Sequence, residues 1–446
     1  MSVKIMVAAL EARVVRKISW RILPFVMLLY FVSFLDRVNV GFAALSMNKA
    51  IGLTPAMFGF GGGVFFIGYF LFEVPSNLVL YRIGARVWIA RVMFTWGLVS
   101  AASAFVTGPH SFYVLRFLLG VAEAGFFPGI ILYLSLWFPA RYRALAVSAF
   151  MAAAPLSTAL GSPISGALME LPTMMGLSNW QWLYIVEALP AIVLAFVVLK
   201  FLTDKPEKAH WLEPDEREWL VATLRAEGAD RESRAGHRSG VWDSLCDPRV
   251  LALSLIYLGT SAGLYTLGLW SPLILRQYGF SPIQTGWISV IPSAVAIAAM
   301  VVWAQHSDRT QERTWHVALP CVAACIGFVW AGSAHSAIGM VLALVVASVG
   351  INAAKPPIWA MPTMFLSGAS AATGLAFINS IGNVGGFIGP FMIGWLKEKW
   401  GGYAGGLYVV GATLALSAVV TLALDRKSIR KSMRKSARRP AVRHLD

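Results

Sequence analysis

The sequence predicts an all-α protein with twelve membrane-spanning helices. Three observations indicate this class: many hydrophobic residues, few charged ones, and long unbroken apolar runs. Of the 446 residues, 57% are hydrophobic and 13% are charged, whereas soluble domains carry about 25% charged residues. Crossing a hydrocarbon core of about 30 Å takes about 20 apolar residues in a helix. A membrane barrel would show alternating segments of about ten residues instead.

Twelve such runs follow one another, separated by polar turns. Helices suit them because no water is available in the bilayer core to satisfy exposed backbone groups. The predicted spans are 21–45, 57–80, 87–107, 112–136, 144–169, 180–202, 250–275, 284–305, 315–334, 337–366, 369–396 and 403–424.

The distribution of basic residues predicts the orientation. The net charge of +15 could suit a nucleic-acid partner, but the lysines and arginines concentrate in the two ends and in alternate loops. The loops on the other side hold only Lys49, Arg276, Lys397 and Lys399. Cytoplasmic loops of membrane proteins carry the basic excess. We therefore expect both termini in the cytoplasm, a lipid bilayer around the spans, and no nucleic-acid partner.

The longest internal polar stretch divides the spans six and six. We expect pseudo-symmetric six-helix halves at 1–202 and 249–425, as duplicated transporters have. A cytoplasmic central loop at 203–248 would join them, opening with a short surface helix, and a basic cytoplasmic tail would follow at 426–446. Two basic turns occupy corresponding positions in the two halves, and we expect conformational gating from their residues Arg82, Arg86, Asp308 and Arg309.

Charged residues inside the spans mark the candidate site, because each costs an estimated 2.5–3.5 kcal/mol or more in a bilayer. At about 1.5 Å per residue, Asp36 and Glu123 both lie about 14–17 Å from the outer boundary. Arg37 follows Asp36, and Arg116 shares a helix face with Glu123. The acids would carry protons, and the arginines would bind a carboxylate through their planar fork. The alternative is structural ion pairing of Asp36 with Arg37 and of Arg116 with Glu123.

Two other acids in the spans are interpreted as structural. Glu73 lies just before Pro75, near the basic turn that follows its span. Glu187 lies near the outer end of the sixth span, where it would reach water.

Further polar residues are candidates for substrate binding. Lys355 precedes two prolines that should break or kink the tenth span, and Trp359 lies one turn further. The pair would bind an aromatic or acidic substrate, or Lys355 would snorkel to the cytoplasm. Asn379 and Asn383, one turn apart, would contact substrate oxygens or only bridge helices. The hydroxyl of Tyr69 is a further candidate donor to substrate.

Enzymatic and metal chemistry have no sequence signal. No span carries paired histidines, a nucleophile motif or a metal-ligand cluster, and Cys321 and Cys325, one turn apart in an apolar run, are expected to pack. We therefore predict a protein that is not an enzyme, with no cofactor and no metal.

Several long strings resemble one family. Residues 34–41 (FLDRVNVG) resemble the first-helix signature of the anion:cation symporter family within the major facilitator superfamily. Residues 116–144 (RFLLGVAEAGFFPGIILYLSLWFPARYRA) resemble the same family's fourth-span signature. Residues 68–93, 307–313 and 359–390 are also similar. The likeness covers essentially the whole chain.

The resemblance implies the fold of that superfamily and a monomeric, proton-coupled importer of a small organic anion, working by alternating access in a bacterial inner membrane. It implies that Asp36 and Glu123 are protonation sites. It also implies a central pocket or its coupling network made by the residues Arg37, Arg116, Tyr69, Trp359 and Asn379.

One departure bears on the substrate. Phe34 stands where sugar-acid transporters have a tyrosine. With Lys355 and Trp359, it favours an aromatic carboxylate. The alternatives are a sugar acid, a tartrate-like dicarboxylate, or export of another class of small molecule.

Overall fold

A computed structural model describes residues 2–234, 247–364, 366 and 368–437. Residues 235–246 of the predicted central loop and 438–446 of the predicted tail lie outside this range. The side chains of 425–437 are likewise not described.

The described residues form helices joined by short turns. The α-helices are α1 (Ser2–Ala50), α2 (Pro55–Ile83), α3 (Ala85–Ala102), α4 (Pro109–Glu123), α5 (Phe126–Trp137), α6 (Ala140–Met151), α7 (Ala153–Leu168), α8 (Asn179–Phe201), α9 (Pro214–Arg234), α10 (Pro248–Arg276), α11 (Pro282–Thr310), α12 (Thr314–Gly332), α13 (Ala337–Ala360), α14 (Gly368–Trp400) and α15 (Ala404–Ala437). Within this part of the chain, twelve helices are long and apolar enough to cross a membrane, with α4–α5 and α6–α7 each counted as one. The predicted class and number of spans are confirmed.

The fourth span is interrupted between α4 and α5. Gly125 has a φ of +90°, a conformation that side chains with a Cβ rarely adopt. The carbonyl of Ala124 leaves the helical ladder and accepts a hydrogen bond from Ser76 Oγ at 2.6 Å. Trp88 Nε1 donates to the same hydroxyl at 3.1 Å. As a result, α4 ends directly at Glu123.

The tenth span differs from its prediction. Helix α13 continues through Pro356 and Pro357 and ends at Ala360, where a 3₁₀ turn, Met361–Met364, follows. The expected break at the prolines is wrong. Membrane helices tolerate proline because neighbouring groups satisfy the freed backbone carbonyls.

Close backbone contacts join the halves at one end of the bundle, called the distal end below. This end carries the α1–α2, α7–α8, α10–α11 and α14–α15 connections. A Cβ on Gly59 would lie 2.6 Å from the carbonyl oxygen of Pro390, and one on Gly166 would lie 2.6 Å from that of Pro282. On Gly286, it would lie 2.5 Å from the Ser162 carbonyl oxygen. No side chain fits between the helices at these points.

The predicted surface helix of the central segment is present as α9, and it docks on the N-terminal part of α1. Glu216 is buried, with 2% of its surface exposed. It pairs with Lys17 at 2.7 Å and with Arg13 at 3.2 Å, and Arg13 also reaches Asp215 at 2.6 Å. This contact stabilises the part of α1 that precedes the predicted span, which begins at residue 21.

Candidate functional site

The centre of the site is an ion pair between α1 and α4. Arg37 Nη2 pairs with Glu123 Oε1, and both side chains are buried. Ser33 Oγ donates to the same carboxylate oxygen at 2.8 Å. The second amino group of Arg37 donates to the hydroxyl of Tyr265 on α10 at 3.0 Å. One arginine therefore joins an acid of the first half to a tyrosine of the second.

Asp36 occupies a separate environment. Its carboxylate accepts hydrogen bonds from Trp96 Nε1 at 2.8 Å and from Ser100 Oγ at 3.0 Å, with Asn39 Nδ2 at 3.4 Å. The side chain is 2% exposed, and no basic group of the described chain lies within 4 Å. Asp36 is thus a buried acid held by neutral donors alone, an arrangement in which the proton-bound form avoids the cost of a buried charge.

Arg116 is the third buried charge. It is 2% exposed, and its guanidinium carbon lies 5.1 Å from the centre of the Phe65 ring. Neither Nε nor Nη1 has a hydrogen-bond partner, and no carboxylate of the described residues lies within 4 Å. A buried guanidinium without an acid is costly, and Arg116 keeps unused donors in the interior of the bundle.

The structure brings the four predicted residues into one interior region, where Arg37 pairs with Glu123 while Asp36 and Arg116 form no ion pair with a described residue. Both pairs of the structural alternative, Asp36 with Arg37 and Arg116 with Glu123, are wrong, since Arg37 takes Glu123 instead. Neighbouring positions on α1 point about 100° apart, so Asp36 and Arg37 face different helices.

Glu73 lies at the interface between the halves rather than at the basic turn near which the sequence placed it. Its carboxylate accepts from Asn379 Nδ2 at 2.8 Å and from Ser380 Oγ at 3.0 Å, both on α14. Asn379 therefore contacts an acid of the other half in this structure. Asn383, one turn further, is buried, and so is Tyr69, one turn before Glu73.

Glu187 does not reach water, and that expectation is wrong. It is 2% exposed, and Ser165 Oγ donates to its Oε1 at 2.6 Å, while Oε2 has no partner. Glu187 lies eight residues after the first residue of α8. At this point the helix is packed inside the bundle, so the carboxylate has no access to water.

A cavity of about 80 Å³ lies between the halves. Residues of α1, α7, α10, α11 and α13 line it, among them Phe34 and Lys355. Of the seven predicted substrate-binding residues, Lys355 alone is part of this lining. Its ammonium donates to Asn352 Oδ1 at 3.1 Å. Trp359 packs instead against Tyr257, with ring centres 5.0 Å apart.

Two of the predicted gating residues form ion pairs: Arg86 with the start of the central segment, and Asp308 within its own turn. Arg86 lies 3.5 Å from Asp204, and its backbone N–H donates to that carboxylate at 3.1 Å. Asp308 pairs with Arg313 at 2.7 Å. Arg82 and Arg309 form no ion pair with the described residues. Tyr81, in the first of these turns, has no described side chain.

Metal-ligating groups do not cluster in the part of the chain that the structure describes, where no set of three or more His, Cys, Asp or Glu side chains could hold an ion. Cys321 is buried and Cys325 half-buried, both as free thiols.

Sequence reasoning missed Tyr265, Trp96, Ser100 and Ser380. Trp96 and Ser100 carried a usable signal, because one helical turn separates these two hydrogen-bond donors and places them on one helix face. Tyr265 carried none, since many aromatics in these spans are buried only against other aromatics.

Comparison with known proteins identifies a family, related sequences and a related solved structure. A model described as Major Facilitator Superfamily matches residues 26–390. A protein named "Putative tartrate transporter" from Agrobacterium vitis is 61% identical, over 94% of this chain and 93% of its own. A "Quinolone resistance transporter" from Acinetobacter baumannii is 39% identical, over 94% and 96%. The inward-open xylose transporter XylE of E. coli superposes with a TM-score of 0.72 at 15% identity, over 90% and 95%.

These likenesses confirm the predicted family, and they confirm a transporter rather than an enzyme. They also confirm a multi-pass protein of a bacterial inner membrane. The chain belongs to the Major Facilitator Superfamily and is a membrane transporter of a small molecule.

Proposed function

We propose that the protein imports a small organic acid together with protons. The supporting observation is the double role of Arg37, which pairs with Glu123 and donates to Tyr265 of the other half. A proton on Glu123 would remove its charge and leave Arg37 buried without an acidic partner. Breaking a buried pair in this way costs about 3–5 kcal/mol. A substrate carboxylate on Arg37 would offset that cost, so proton and anion bind best together.

Asp36 is the second proton site of this proposal, and Arg116 is the second cation for the substrate. Protons from the acidic outer side load Asp36 and Glu123, and the anion binds among Arg37, Arg116 and Lys355. The six-helix halves, 1–202 and 249–425, then change their mutual orientation and open the site to the cytoplasm, where both termini lie. The protein works as a monomer in the bilayer, and the turns carrying Arg82, Arg86, Asp308 and Arg309 gate the change.

The substrate class is a hydroxylated dicarboxylate of the tartrate type. The name of the Agrobacterium vitis relative, at 61% identity, favours this class over the aromatic carboxylate that Phe34 suggested. Two buried arginines and one lysine supply more positive charge than a single carboxylate needs. The aromatic acid is the second candidate, because Phe34 and several leucines line the cavity.

Uptake of labelled tartrate into proteoliposomes tests the function. We expect accumulation against the tartrate gradient when the outside is acidic, and only equilibration when a protonophore is present. An inward sodium gradient without a pH gradient serves as the control. Accumulation that survives the protonophore would refute proton coupling. Competition by an unlabelled aromatic carboxylate or by a quinolone ranks the alternative substrates.

A further inference from the structure

The cavity between the halves has two chemically different walls. Helices α7 and α11, which touch across the interface, supply four hydroxyls to one wall: Thr158, Ser162, Ser289 and Ser293. In each helix the two hydroxyl residues are four positions apart, so they lie on one face. None of them belongs to the proton-coupling residues Asp36 and Glu123.

The hydroxyl hydrogens on this wall are already used. Ser289 Oγ donates to the Thr285 carbonyl at 2.8 Å, and Ser293 Oγ to the Ser289 carbonyl at 3.1 Å. On α7, Ser162 Oγ donates to the Thr158 carbonyl at 2.7 Å. A serine that donates its one hydrogen to the backbone keeps only acceptor lone pairs. This wall therefore accepts hydrogen bonds and offers little to a carboxylate.

The wall formed by α13, which packs beside α11, has the reverse character. Lys355 has three N–H donors and uses one on Asn352 Oδ1. Asn352 in turn donates to the Ser348 carbonyl at 2.9 Å, which fixes its amide. The Ser348 hydroxyl faces the cavity and forms no hydrogen bond with a described residue. Positions 348, 352 and 355 lie on one helical face, so the donors converge.

We propose that this cavity is a subsite for a hydroxylated carboxylate, in which α13 binds a carboxylate through Lys355 and the α7–α11 wall accepts hydrogen bonds from the substrate's hydroxyl groups. The assignment rests on the proposed function and adds the residues that select a hydroxy acid over its deoxy counterpart. A ligand without hydroxyls leaves the serine oxygens unpartnered, and such a site rejects the analogue that lacks the donor.

Three dicarboxylates with the same four-carbon backbone test the subsite: tartrate with two hydroxyls, malate with one and succinate with none. Apparent affinity is measured by inhibition of labelled tartrate uptake in proteoliposomes. For the wild-type protein we expect the order tartrate, malate, succinate. Ser289→Ala or Ser293→Ala should lower the ratio of tartrate to succinate affinity about five- to tenfold, as expected for one lost hydrogen bond.

Ser254→Ala is the matched control. Ser254 is a buried helix serine of the same half that donates to the Val250 carbonyl at 2.8 Å, but it does not line the cavity. It should leave the tartrate-to-succinate ratio unchanged. Lys355→Met should weaken all three acids by a similar factor, because each presents a carboxylate. These outcomes together support the subsite.

The opposite outcomes separate the two levels of the proposal. If tartrate, malate and succinate inhibit the uptake equally well, or if Ser289→Ala and Ser293→Ala weaken all three alike, the hydroxyl subsite is wrong while organic-acid transport stands. If the wild-type protein takes up no labelled tartrate, the tartrate-type substrate fails and the subsite with it, whereas uptake of an aromatic carboxylate would then keep the proposed organic-acid function.

Discussion

The hydrogen bonds from Asn379 and Ser380 to Glu73 connect the two halves directly, and Glu73→Ala removes both. A hydrogen bond between uncharged groups contributes about 1 kcal/mol. The contact is present in this conformation. Its loss therefore destabilises this conformation relative to one in which Glu73 has separated from α14. Two such bonds contribute about 2 kcal/mol together, which changes the ratio of the two populations at least tenfold.

The assay uses a pair of spin labels at the distal end. A Cβ on Gly108 or on Gly402 meets no atom within 4 Å, so cysteines at these positions carry labels without disturbing the fold. The three native cysteines are first replaced by serine or alanine. In this background Glu73→Ala should lower the ratio of the short-distance to the long-distance population about tenfold or more.

Glu73→Gln is the matched control, because its amide oxygen still accepts from one of the two donors and the variant should show a smaller shift. An unchanged distance distribution in Glu73→Ala would refute the reasoning. It would mean that the contact persists in both conformations or carries no net energy.

Four further predictions concern other buried charges. Asp36→Asn and Glu123→Gln should abolish accumulation driven by a pH gradient while substrate exchange continues; undiminished accumulation in proteoliposomes would contradict their role. Arg116→Ala should weaken substrate affinity at least tenfold in the same uptake assay, since one charge-assisted contact is lost, and unaltered affinity would exclude Arg116 from the pocket. Glu187→Gln should retain folding, because the amide still accepts from Ser165, whereas Glu187→Ala should lower the melting temperature of the detergent-purified protein. Burial acts to raise the pKa of Glu216, but Lys17 and the Glu213 N–H outweigh it, and the pKa lies below the ordinary value. Protection of α9 from hydrogen exchange should therefore hold above the ordinary carboxylate pKa of about 4.3 and disappear as the pH falls through the lowered value; loss already near pH 6 would contradict this.

The fold could be predicted because a bilayer imposes a simple length rule on every span. Apolar runs of about twenty residues identify the helices. The structure differs from the prediction mainly in features that a rule about length does not cover. The N-terminal extension of α1 is amphipathic, and the buried Val14 and Ile18 stabilise it together with its ion pairs to α9. The break after Glu123 depends on Ser76 and Trp88, which come from other helices.

The site could be predicted only as a set of residues at one depth. Charge in an apolar span indicates function, and that argument found Asp36, Arg37, Arg116 and Glu123. Partners depend on the rotation of each helix about its axis, which packing decides. For this reason Arg37 reaches Glu123, Asp36 reaches Trp96, and the pairs read from proximity in sequence are wrong.

The glycine contacts at the distal end have a consequence for the speed of any rocking motion. When two surfaces covered with long side chains part and meet again, every flexible chain is released and must be ordered anew, at up to about 2 kcal/mol each. Gly59, Gly166 and Gly286 have no rotamers to order. The halves therefore come together at these points without the loss of side-chain conformational entropy. A single added methyl group would obstruct closure.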